Sequence, residues 1–251
     1  MKTIIDISYT SSDSNAHKLD LYLPDNSNFS TLVFFHGGGI INGDKSDVAK
    51  LAGYFTSRGI CYVSANYRMY PEARFPDFIE DAASAVAWVK HNIKYYGGND
   101  TIFVGGSSAG AYLSMMLCYD DNYLKKHGIA PTDISAYVHD AGQPTTHFSI
   151  MAERGFDNKK CVIDEAAPIY HIGTAKEYSP QLIFVSDNDI KGRYEQTMLL
   201  LATLESFGYD MTRVKLESMR GYTHTQCLSQ FDEEHNTLFG DLIYNFLSKL
   251  Q

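Results

Sequence analysis

The chain has 251 residues, of which 44% are hydrophobic and 20% are charged, a balance typical of a folded globular domain and unlike that of a disordered chain. The formal net charge is -9, and no cluster of lysines and arginines is long enough to follow a phosphate backbone, so we expect no nucleic-acid partner. No stretch approaches the roughly 18 consecutive apolar residues of a membrane-spanning helix, so we expect no membrane partner.

The N-terminus and the cysteines indicate a compartment. The first seven residues contain no long apolar core and carry Asp6, which is unlike a secretory signal peptide. The four cysteines are scattered without a C-x-x-C pair, and Cys61 and Cys118 lie in apolar runs typical of buried thiols. We therefore expect a reduced, cytoplasmic protein without disulfides or a metal site.

The first part of the chain predicts an antiparallel hairpin followed by two buried strands. Residues 5–9 and 17–23 alternate between apolar and polar side chains, the pattern of strands with one solvated face. Residues 31–35 and 60–65 are continuously apolar, as expected for strands that are buried on both faces. The segment between these two strands predicts a helix over residues 47–57.

The middle of the chain continues the alternation of helices and strands. Pro76 begins a predicted helix whose apolar side chains recur at helical spacing. The apolar run at residues 101–105 predicts a third buried strand, residues 111–117 predict a helix, and residues 134–138 predict a fourth strand.

The last part of the chain contains one irregular segment. Residues 141–179 hold several glycines and prolines with only short mixed pieces between them, and a segment of this length is typical of a lid over a site. Regular alternation then resumes with a strand at residues 182–185, a helix at about 194–207, a strand at 214–218 and a final helix at about 234–248.

Strands that alternate with helices predict an α/β fold. We expect a mostly parallel, twisted sheet with an antiparallel N-terminal hairpin and helices on both faces. Residues 1–251 are expected to form a single domain, with residues 141–179 as a small lid insertion. Active sites of such sheets lie beyond the carboxyl ends of the strands, so the loops that follow the strands are where functional side chains are expected.

A pentapeptide at residues 106–110, Gly-Ser-Ser-Ala-Gly, reads G-x-S-x-G between a predicted strand and a predicted helix. A sharp turn from strand to helix leaves no room for side chains two residues before and two residues after the serine, which accounts for both glycines. Ser108 would then stand at the apex of the turn with its hydroxyl exposed. Because a serine hydroxyl alone is a weak nucleophile, such a site also requires a base and a group that stabilises an oxyanion.

His36 and three successive glycines follow the first buried strand directly. Successive glycines let the backbone turn so that several N–H groups point at one position. Together with the serine motif downstream, they predict an oxyanion hole formed by the amides of Gly38 and Gly39 and by the amide of Ala109, the residue after the serine.

A carboxylate and an imidazole follow the last two predicted strands. Asp187 and Asp189 both follow one strand, and we interpret Asp189 as the catalytic acid because it lies far enough past the strand to turn back toward a histidine, whereas Asp187 is expected to stabilise the turn. His224 follows the next strand and is interpreted as the base. His235 is the weaker alternative, because it lies at the start of the predicted last helix.

The chain resembles an α/β-hydrolase of the esterase/lipase group with an HGGG oxyanion loop, related to hormone-sensitive-lipase-like and acetyl-xylan/feruloyl-type esterases. The order Ser108, Asp189, His224 matches the order of the triad in that superfamily. The resemblance extends over nearly the whole chain. It includes Gly-Asp-Lys-Ser at residues 43–46 and Asn-Tyr-Arg at residues 66–68, which the resemblance implies to be scaffold around the site and not catalytic.

Three departures separate the chain from the hormone-sensitive-lipase-like pattern. Ser107 stands where that group has an aspartate, residues 186–189 lack the D-P-x-x-D form of its acid motif, and too few residues precede His36 for its N-terminal cap. The resemblance is therefore closer to compact esterases with little cap, in which residues 141–179 are the remaining lid.

The motifs and the resemblance together predict a serine carboxylesterase for short-acyl esters, including acetyl esters. His224 would take the proton of Ser108 as the hydroxyl attacks the acyl carbon, and Asp189 would fix the histidine tautomer, so that an acyl-enzyme forms and is then hydrolysed. The predicted partner is a small-molecule ester, and no metal or cofactor is required. Tyr112, Phe148 and Phe156 are candidates either for the substrate pocket or for packing.

Three other functions remain as alternatives at this point. An amidase similar to kynurenine formamidase would use the same loop, but Ile40 and Ile41 stand where that family usually has an aromatic residue. A non-catalytic binding protein of the hydrolase fold would typically lack the base that His224 supplies. A long-chain lipase would require a large apolar lid, whereas residues 141–179 carry many charged side chains.

Overall fold

The computed structural model describes residues 1–250, so that Gln251, the last residue of the predicted domain, lies outside the described part of the chain. Within residues 1–250, eight strands form one sheet, in agreement with the predicted α/β class. The strands are β1 (Lys2–Ser8), β2 (Lys18–Leu23), β3 (Phe29–Phe35), β4 (Ile60–Ala65), β5 (Gly98–Ser107), β6 (Ala136–Asp140), β7 (Gln181–Asn188) and β8 (Val214–Thr223).

The sheet is mostly parallel. Its strands lie in the order β1-β2-β4-β3-β5-β6-β7-β8. The antiparallel N-terminal hairpin is confirmed, since β1 pairs with β2 and β2 with β4 in antiparallel directions. Every pair from β4 to β8 is parallel. The carboxyl ends of β3, β5, β7 and β8 therefore meet at one edge of the sheet, and the predicted site residues follow them there.

Helices cover both faces of the sheet. Those in residues 1–250 are α1 (Ala52–Thr56), α2 (Asp77–Asn92), α3 (Ala109–Tyr119), α4 (Asp121–Lys125), α5 (Phe148–Glu153), α6 (Arg193–Ser206) and α7 (Leu238–Leu247). Short 3-10 turns lie at Asn15–His17, Lys45–Asp47, Ala49–Leu51, Ile93–Tyr96, Pro131–Asp133, Pro168–His171, Met211–Arg213 and Gln226–Ser229. No helix of residues 1–250 combines the length and apolarity that crossing a membrane requires.

The core consists of two apolar clusters, one on each face of the sheet. Successive residues of the central strands alternate between them: Leu32 and Phe34 of β3 pack with α1 and α7, whereas Val33 and Phe35 pack with α2, α3 and α6. Because side chains alternate across a strand, a strand that is apolar at every position buries both faces. All seven residues of β3 are buried, as the continuous apolar run predicts.

The N-terminal hairpin differs from the expected strands with one wet face. β1 is largely exposed, but β2 is mostly buried because it lies between β1 and β4. Its polar residue Asp20 is buried and accepts from the ammonium group of Lys45 at 2.8 Å. The lysine also contacts Asp6 at 3.0 Å. The Gly-Asp-Lys-Ser motif thus supplies the counter-ion that allows a carboxylate to lie inside the sheet.

Two predicted helices begin later than expected, because side chains stabilise separate turns before them. Before α1, the carboxylate of Asp44 accepts from the amide of Ser46 at 2.9 Å, which caps a 3-10 turn. Before α7, the carboxylate of Asp232 accepts from the amide of Asn236 at 2.8 Å. His235 therefore lies in an exposed turn and not at the start of a helix.

α3 packs very closely on the strands that precede it. A Cβ atom on Gly110 would lie 2.2 Å from the carbonyl oxygen of Phe35, and a Cβ on Gly106 would lie 2.3 Å from the carbonyl carbon of Gly110. Only glycine fits at these two positions, because the atoms in contact are backbone atoms that cannot rotate away. The first turn of α3 is thereby held against the ends of β3 and β5.

We expect Gly110→Ala to lower the free energy of unfolding by at least ~2 kcal/mol, because the new methyl group would overlap backbone. Gly53→Ala in α1 is the matched control, since its Cβ would meet no atom within 4 Å and alanine favours a helix, with an expected gain of up to ~1 kcal/mol. Urea unfolding curves of both variants measure these effects. A Gly110→Ala protein as stable as the wild type would contradict the close packing of α3.

Candidate active site

Ser108 stands at a sharp turn between β5 and α3. Its backbone has φ 54 and ψ -113, a conformation that costs free energy for a residue with a Cβ atom. The turn is held at two points: the Ser108 amide donates to the carbonyl of Asp140 at 2.7 Å, and the Ser108 carbonyl accepts from the amide of Tyr112 at 3.0 Å. The hydroxyl is thus presented above the carboxyl edge of the sheet by strained but well-supported backbone.

The three side chains predicted as a triad lie in contact. Nε2 of His224 is 2.8 Å from Oγ of Ser108, and Nδ1 of His224 is 2.5 Å from Oδ1 of Asp189. Because a carboxylate only accepts, Nδ1 carries the proton and donates it, which leaves Nε2 free to accept from the serine hydroxyl. The arrangement can therefore remove the hydroxyl proton when Ser108 attacks an electrophilic carbon.

Strand pairing brings Asp189 and His224, the predicted acid and base, together. β7 and β8 are parallel neighbours whose register pairs Asn188 with Thr223, so the next residues along the two strands are Asp189 and His224. The Asp189 side chain is only 1% exposed, and it also accepts from the amide of Ile190 at 2.6 Å. These bonds fix the carboxylate in a direction that suits the imidazole.

Asp187 lies within β7 and not in the turn after it, because the strand is longer than the predicted residues 182–185. Its Oδ1 accepts from the amide of Gly221 at 2.8 Å, which ties the end of β7 to β8. The predicted strand at 214–218 in fact continues to Thr223, so that His224 follows it directly. His235, the weaker alternative for the base, forms no part of this cluster.

The His-Gly-Gly-Gly loop follows β3 and faces the turn of Ser108. Gly38 has φ +105, and a Cβ there would lie 1.8 Å from the carbonyl oxygen of Asn42, so the loop excludes any larger residue. The carbonyl of Gly38 accepts from the amides of Ile41 and Asn42, each at 3.1 Å, and the carbonyl of Gly39 accepts from the Ser149 hydroxyl. These contacts involve carbonyl groups of the loop, so the amides of Gly38 and Gly39 can still take the predicted role of donors to an oxyanion.

Ala109 begins α3, so its amide belongs to the first turn of a helix. The first amides of a helix have no partner within it, and the helix dipole places partial positive charge there. The predicted oxyanion hole of Gly38, Gly39 and Ala109 thus combines a glycine loop with a helix N-terminus, an arrangement suited to a developing negative charge.

The residues next to the glycine loop are scaffold, as the resemblance implies. His36 is buried, its Nδ1 donates to the carbonyl of Gly37 at 2.7 Å, and its ring stacks on Tyr67 with the centroids 4.5 Å apart. The Tyr67 hydroxyl in turn donates to the His36 carbonyl at 2.9 Å. Arg68 forms a two-point ion pair with Asp81, with both contacts at 2.8 Å. These contacts fix the backbone at the start of the glycine loop and the segment that packs beside it.

The candidate residues for the pocket divide between packing and the site. Tyr112 is fully buried and donates to the carbonyl of Ala166 at 2.8 Å, so it is a packing residue. Phe148 begins α5, and its ring lies beside the glycine loop: a Cβ on Gly39 would be 3.1 Å from Cζ of Phe148. The start of the segment at residues 141–179 is thus packed against the oxyanion loop.

Ser107 and Asp140 form a buried pair behind Ser108, which no motif of the sequence indicated. The Ser107 hydroxyl donates to Oδ2 of Asp140 at 2.6 Å, and both side chains are almost fully buried. The backbone of the same aspartate accepts from the Ser108 amide. Asp140 is the last residue of β6, and the available signal was its position two residues past the predicted strand at 134–138, at the edge where the site lies.

Burial raises the pKa of Asp140 to about 6, although the hydrogen bond from Ser107 lowers it. In the unfolded chain the same carboxyl has a pKa of 3.8. Between these two values the folded state holds a proton that the unfolded state has lost. The contribution of Asp140 to stability is therefore fully present below the lower value and decreases as the pH rises toward the upper one.

The side chain of an Asp140→Asn variant cannot titrate, so we expect the variant to gain stability relative to the wild type as the pH rises from about 4 to about 7. The free energy of unfolding of the variant minus that of the wild type should increase by about 2 to 3 kcal/mol over this range, since one pKa unit corresponds to about 1.4 kcal/mol. Urea unfolding of both proteins at the two pH values measures it, because other titrating groups cancel in the difference. The same difference at both pH values would contradict a raised pKa of Asp140.

Curated proteins with similar sequences are esterases. Esterase LipQ of Mycobacterium tuberculosis is 27% identical over 190 residues, which is 68% of this chain and 44% of LipQ. The probable isoprenylcysteine alpha-carbonyl methylesterase ICMEL1 of Arabidopsis thaliana is 35% identical over 105 residues, which is 41% of this chain and 22% of that protein. The chain thus spans well under two thirds of the length of these relatives.

Solved structures of esterases share the fold over the whole chain. A truncated form of a carbohydrate esterase from gut microbiota superimposes with a TM-score of 0.80 at 19% identity, covering 99% of this chain and 96% of that one. Esterase 2 of Thermogutta terrifontis also has a TM-score of 0.80, at 22% identity, covering 98% of this chain and 94% of that one. Their sheet and helix arrangement is that of the α/β-hydrolases.

The family assignment follows from the sequence of the central region. The family model BD-FAE matches residues 19–204, a stretch that contains the glycine loop, Ser108 and Asp189. With the fold and the motifs in agreement over most of its length, this chain belongs to the BD-FAE family of α/β-hydrolases.

Proposed function

We propose that the protein is a serine carboxylesterase that hydrolyses short-acyl esters, including acetyl esters. The observation that carries this proposal is the continuous line of contacts from Asp189 through His224 to the hydroxyl of Ser108, opposite a glycine loop. The esterase names of the curated relatives and the BD-FAE family membership support the reaction class.

The first half of the proposed reaction forms an acyl-enzyme. Nε2 of His224 accepts the hydroxyl proton while Oγ of Ser108 bonds to the ester carbon, and the carbonyl electrons move to the oxygen. The amides of Gly38, Gly39 and Ala109 donate to that oxyanion. As the C–O bond to the alcohol breaks, the imidazolium returns the proton to the leaving oxygen.

The second half releases the acid. Water gives a proton to Nε2 of His224 as its oxygen attacks the acyl carbon, and the same amides again stabilise the oxyanion. The bond to Ser108 then breaks, and the serine oxygen recovers its proton from the imidazolium. Asp189, which is buried and bonded to Nδ1, stabilises the positive ring in both halves.

The surroundings of the glycine loop support a small acyl group. The Phe148 ring lies against Gly39, and the hydroxyl of Ser149 bonds to the carbonyl of the same glycine, so α5 narrows the space beside the predicted oxyanion hole. Thermogutta esterase 2, which shares the fold, has been solved with propionate and with butyrate bound. A short chain is therefore the acyl class we propose.

We expect the wild-type protein to hydrolyse p-nitrophenyl acetate and p-nitrophenyl butyrate and to have little or no activity on p-nitrophenyl palmitate. Ser108→Ala and His224→Ala should each lower kcat by ~10³–10⁶, because the nucleophile and its base act as a unit. Steady-state release of p-nitrophenol measures all of these rates.

Two variants serve as matched controls. Ser206→Ala changes an exposed serine at the end of α6, and His235→Ala changes the exposed histidine of the turn before α7, so both should retain wild-type kcat. Full activity of Ser108→Ala would overturn the proposal. Activity on a formanilide with none on any ester would favour the formamidase alternative, and activity on neither would favour a binding protein.

A further inference from the structure

A cavity of about 790 Å³ opens beside the proposed esterase site. Two of its lining residues adjoin residues of that site. Ile190, which lines the cavity, directly follows Asp189, and Phe148, which lines another wall, packs against Gly39 of the glycine loop. The cavity and the proposed site are therefore neighbours, close enough for the part of an ester beyond the cleaved bond to be considered as its occupant.

The charged residues that line the cavity are all basic. Lys159, Lys160 and Lys191 stand at its rim, and Arg193 lines it from inside. None of the lining residues is an aspartate or a glutamate, and within residues 1–250 the three lysines form no ion pair. This concentration of positive charge lies on a chain whose formal net charge is -9. Such a local field attracts anions and repels cations.

Arg193 is a buried cation without a carboxylate partner. It is 4% exposed, and its guanidinium donates only to neutral acceptors: the carbonyl of Ala141 at 3.0 Å and Oε1 of Gln143 at 3.4 Å. Its Nε has no hydrogen-bond partner among residues 1–250. Charges that are buried in proteins are ordinarily paired, so a guanidinium in this state favours an anion beside it.

The arginine keeps its charge at neutral pH. Burial lowers the pKa of Arg193 to about 10, while the more distant carboxylate of Asp189 raises it. That carboxylate forms no ion pair with Arg193: its Oδ1 accepts from His224 and from the amide of Ile190, and its Oδ2 accepts from the amide of Ser186 at 3.5 Å. Burial, together with this cation, lowers the pKa of His147 to about 3, so this neighbouring ring is neutral.

The N-terminus of α6 adds to the positive potential. Arg193 is the first residue of this 14-residue helix, Lys191 precedes it by two positions, and Gln196 lies in its first turn. Both flanking residues also line the cavity. A helix N-terminus carries partial positive charge and unpaired amides, which favour a bound carboxylate or phosphate.

We propose that this cavity binds an anionic group of the substrate, a carboxylate or a phosphate, so that the natural esters carry such a group beyond the bond that is cleaved. The part of the inference that concerns turnover rests on the proposed esterase function. The binding of an anion does not depend on that function, and separate experiments measure anion binding and turnover.

The binding test uses reaction products, which need no catalysis. Calorimetric titration of the wild type with 4-hydroxybenzoate, with 4-hydroxyphenyl phosphate and with the neutral 4-hydroxybenzamide compares ligands of similar shape. We expect at least one anion to bind ~10-fold or more tightly than the amide at low ionic strength, and the difference to shrink in about 1 M salt. The anion that binds more tightly identifies the group.

Variants of the rim locate the binding. The triple variant K159Q/K160Q/K191Q should lose most of the preference for the anion. The triple variant K94Q/K125Q/K126Q is the matched control, because it removes the same charge from exposed lysines elsewhere and should keep the preference. R193Q should lose the preference and R193K should retain part of it. If R193Q fails to fold, the loss or retention of the anion preference in K159Q/K160Q/K191Q still shows whether the anion binds in this cavity.

The turnover test compares 4-acetoxybenzoate with 4-acetoxybenzamide, each of which reacts with water to give acetate and the phenol. We expect kcat/KM to be ~10-fold higher for the anionic ester in the wild type, and the ratio to approach one in the rim variant. Equal affinity for anion and amide, or a preference that the rim variant keeps, would overturn the anion site even if both esters are hydrolysed. Hydrolysis of neither ester, with anion binding intact, would overturn the esterase proposal and leave the anion site supported.

Discussion

The whole site depends on the close contact of backbone with backbone at the turn of Ser108. Gly110 lies against the carbonyl of Phe35, and Gly106 lies against Gly110, with no room for a Cβ atom at either glycine. This contact forces α3 to begin immediately after β5 and holds Ser108 at positive φ. The same contact sets the distance between the first amide of α3 and the glycine loop after β3. Ser108, the proposed nucleophile, and the predicted oxyanion hole are therefore positioned by one packing constraint.

Burial at the carboxyl edge of the sheet then determines the electrostatics. The Asp189 side chain is buried, and its oxygens accept from the imidazole of His224 and from backbone amides. Its negative charge therefore lies directly against the His224 ring. Asp140, one strand closer to the nucleophile, is enclosed with a hydroxyl partner in place of a cation, and its pKa is raised to about 6. Arg193 is enclosed with neutral acceptors. The site thus combines one carboxylate bonded to His224, a second whose pKa is raised to about 6, and an unpaired cation at the cavity.

Local signals explain why much of the fold and site could be predicted from the sequence. Several features of the site are each encoded within a few consecutive residues: the strand before Ser108, the glycines around it and the histidine-glycine loop. Such short motifs predict the same local structure whichever strands become neighbours in the sheet. The contact between Asp189 and His224 was predictable because each residue directly follows a strand, whereas Asp187 still belongs to β7.

What could not be predicted depends on which strands become neighbours. β2 alternates like a solvated strand, yet it is buried because β1 pairs along its outer edge and Lys45 neutralises Asp20. Ser107 and Asp140 meet only because β5 and β6 are adjacent in the sheet. Arg193 starts a helix with a charged residue, a pattern typical of an exposed position. Its burial follows from the segment that contains Ala141 and Gln143, which lies far away in sequence.

The most direct test of the central claim is to find the side chain that becomes covalently modified. The protein is treated with a fluorophosphonate, which transfers its phosphonyl group to activated serines, and is then digested and sequenced by mass spectrometry. A single adduct on Ser108, absent when His224 is replaced by alanine, is the expected result. An adduct on another residue, or none in a preparation that hydrolyses esters, would contradict the assignment of Ser108 as the nucleophile.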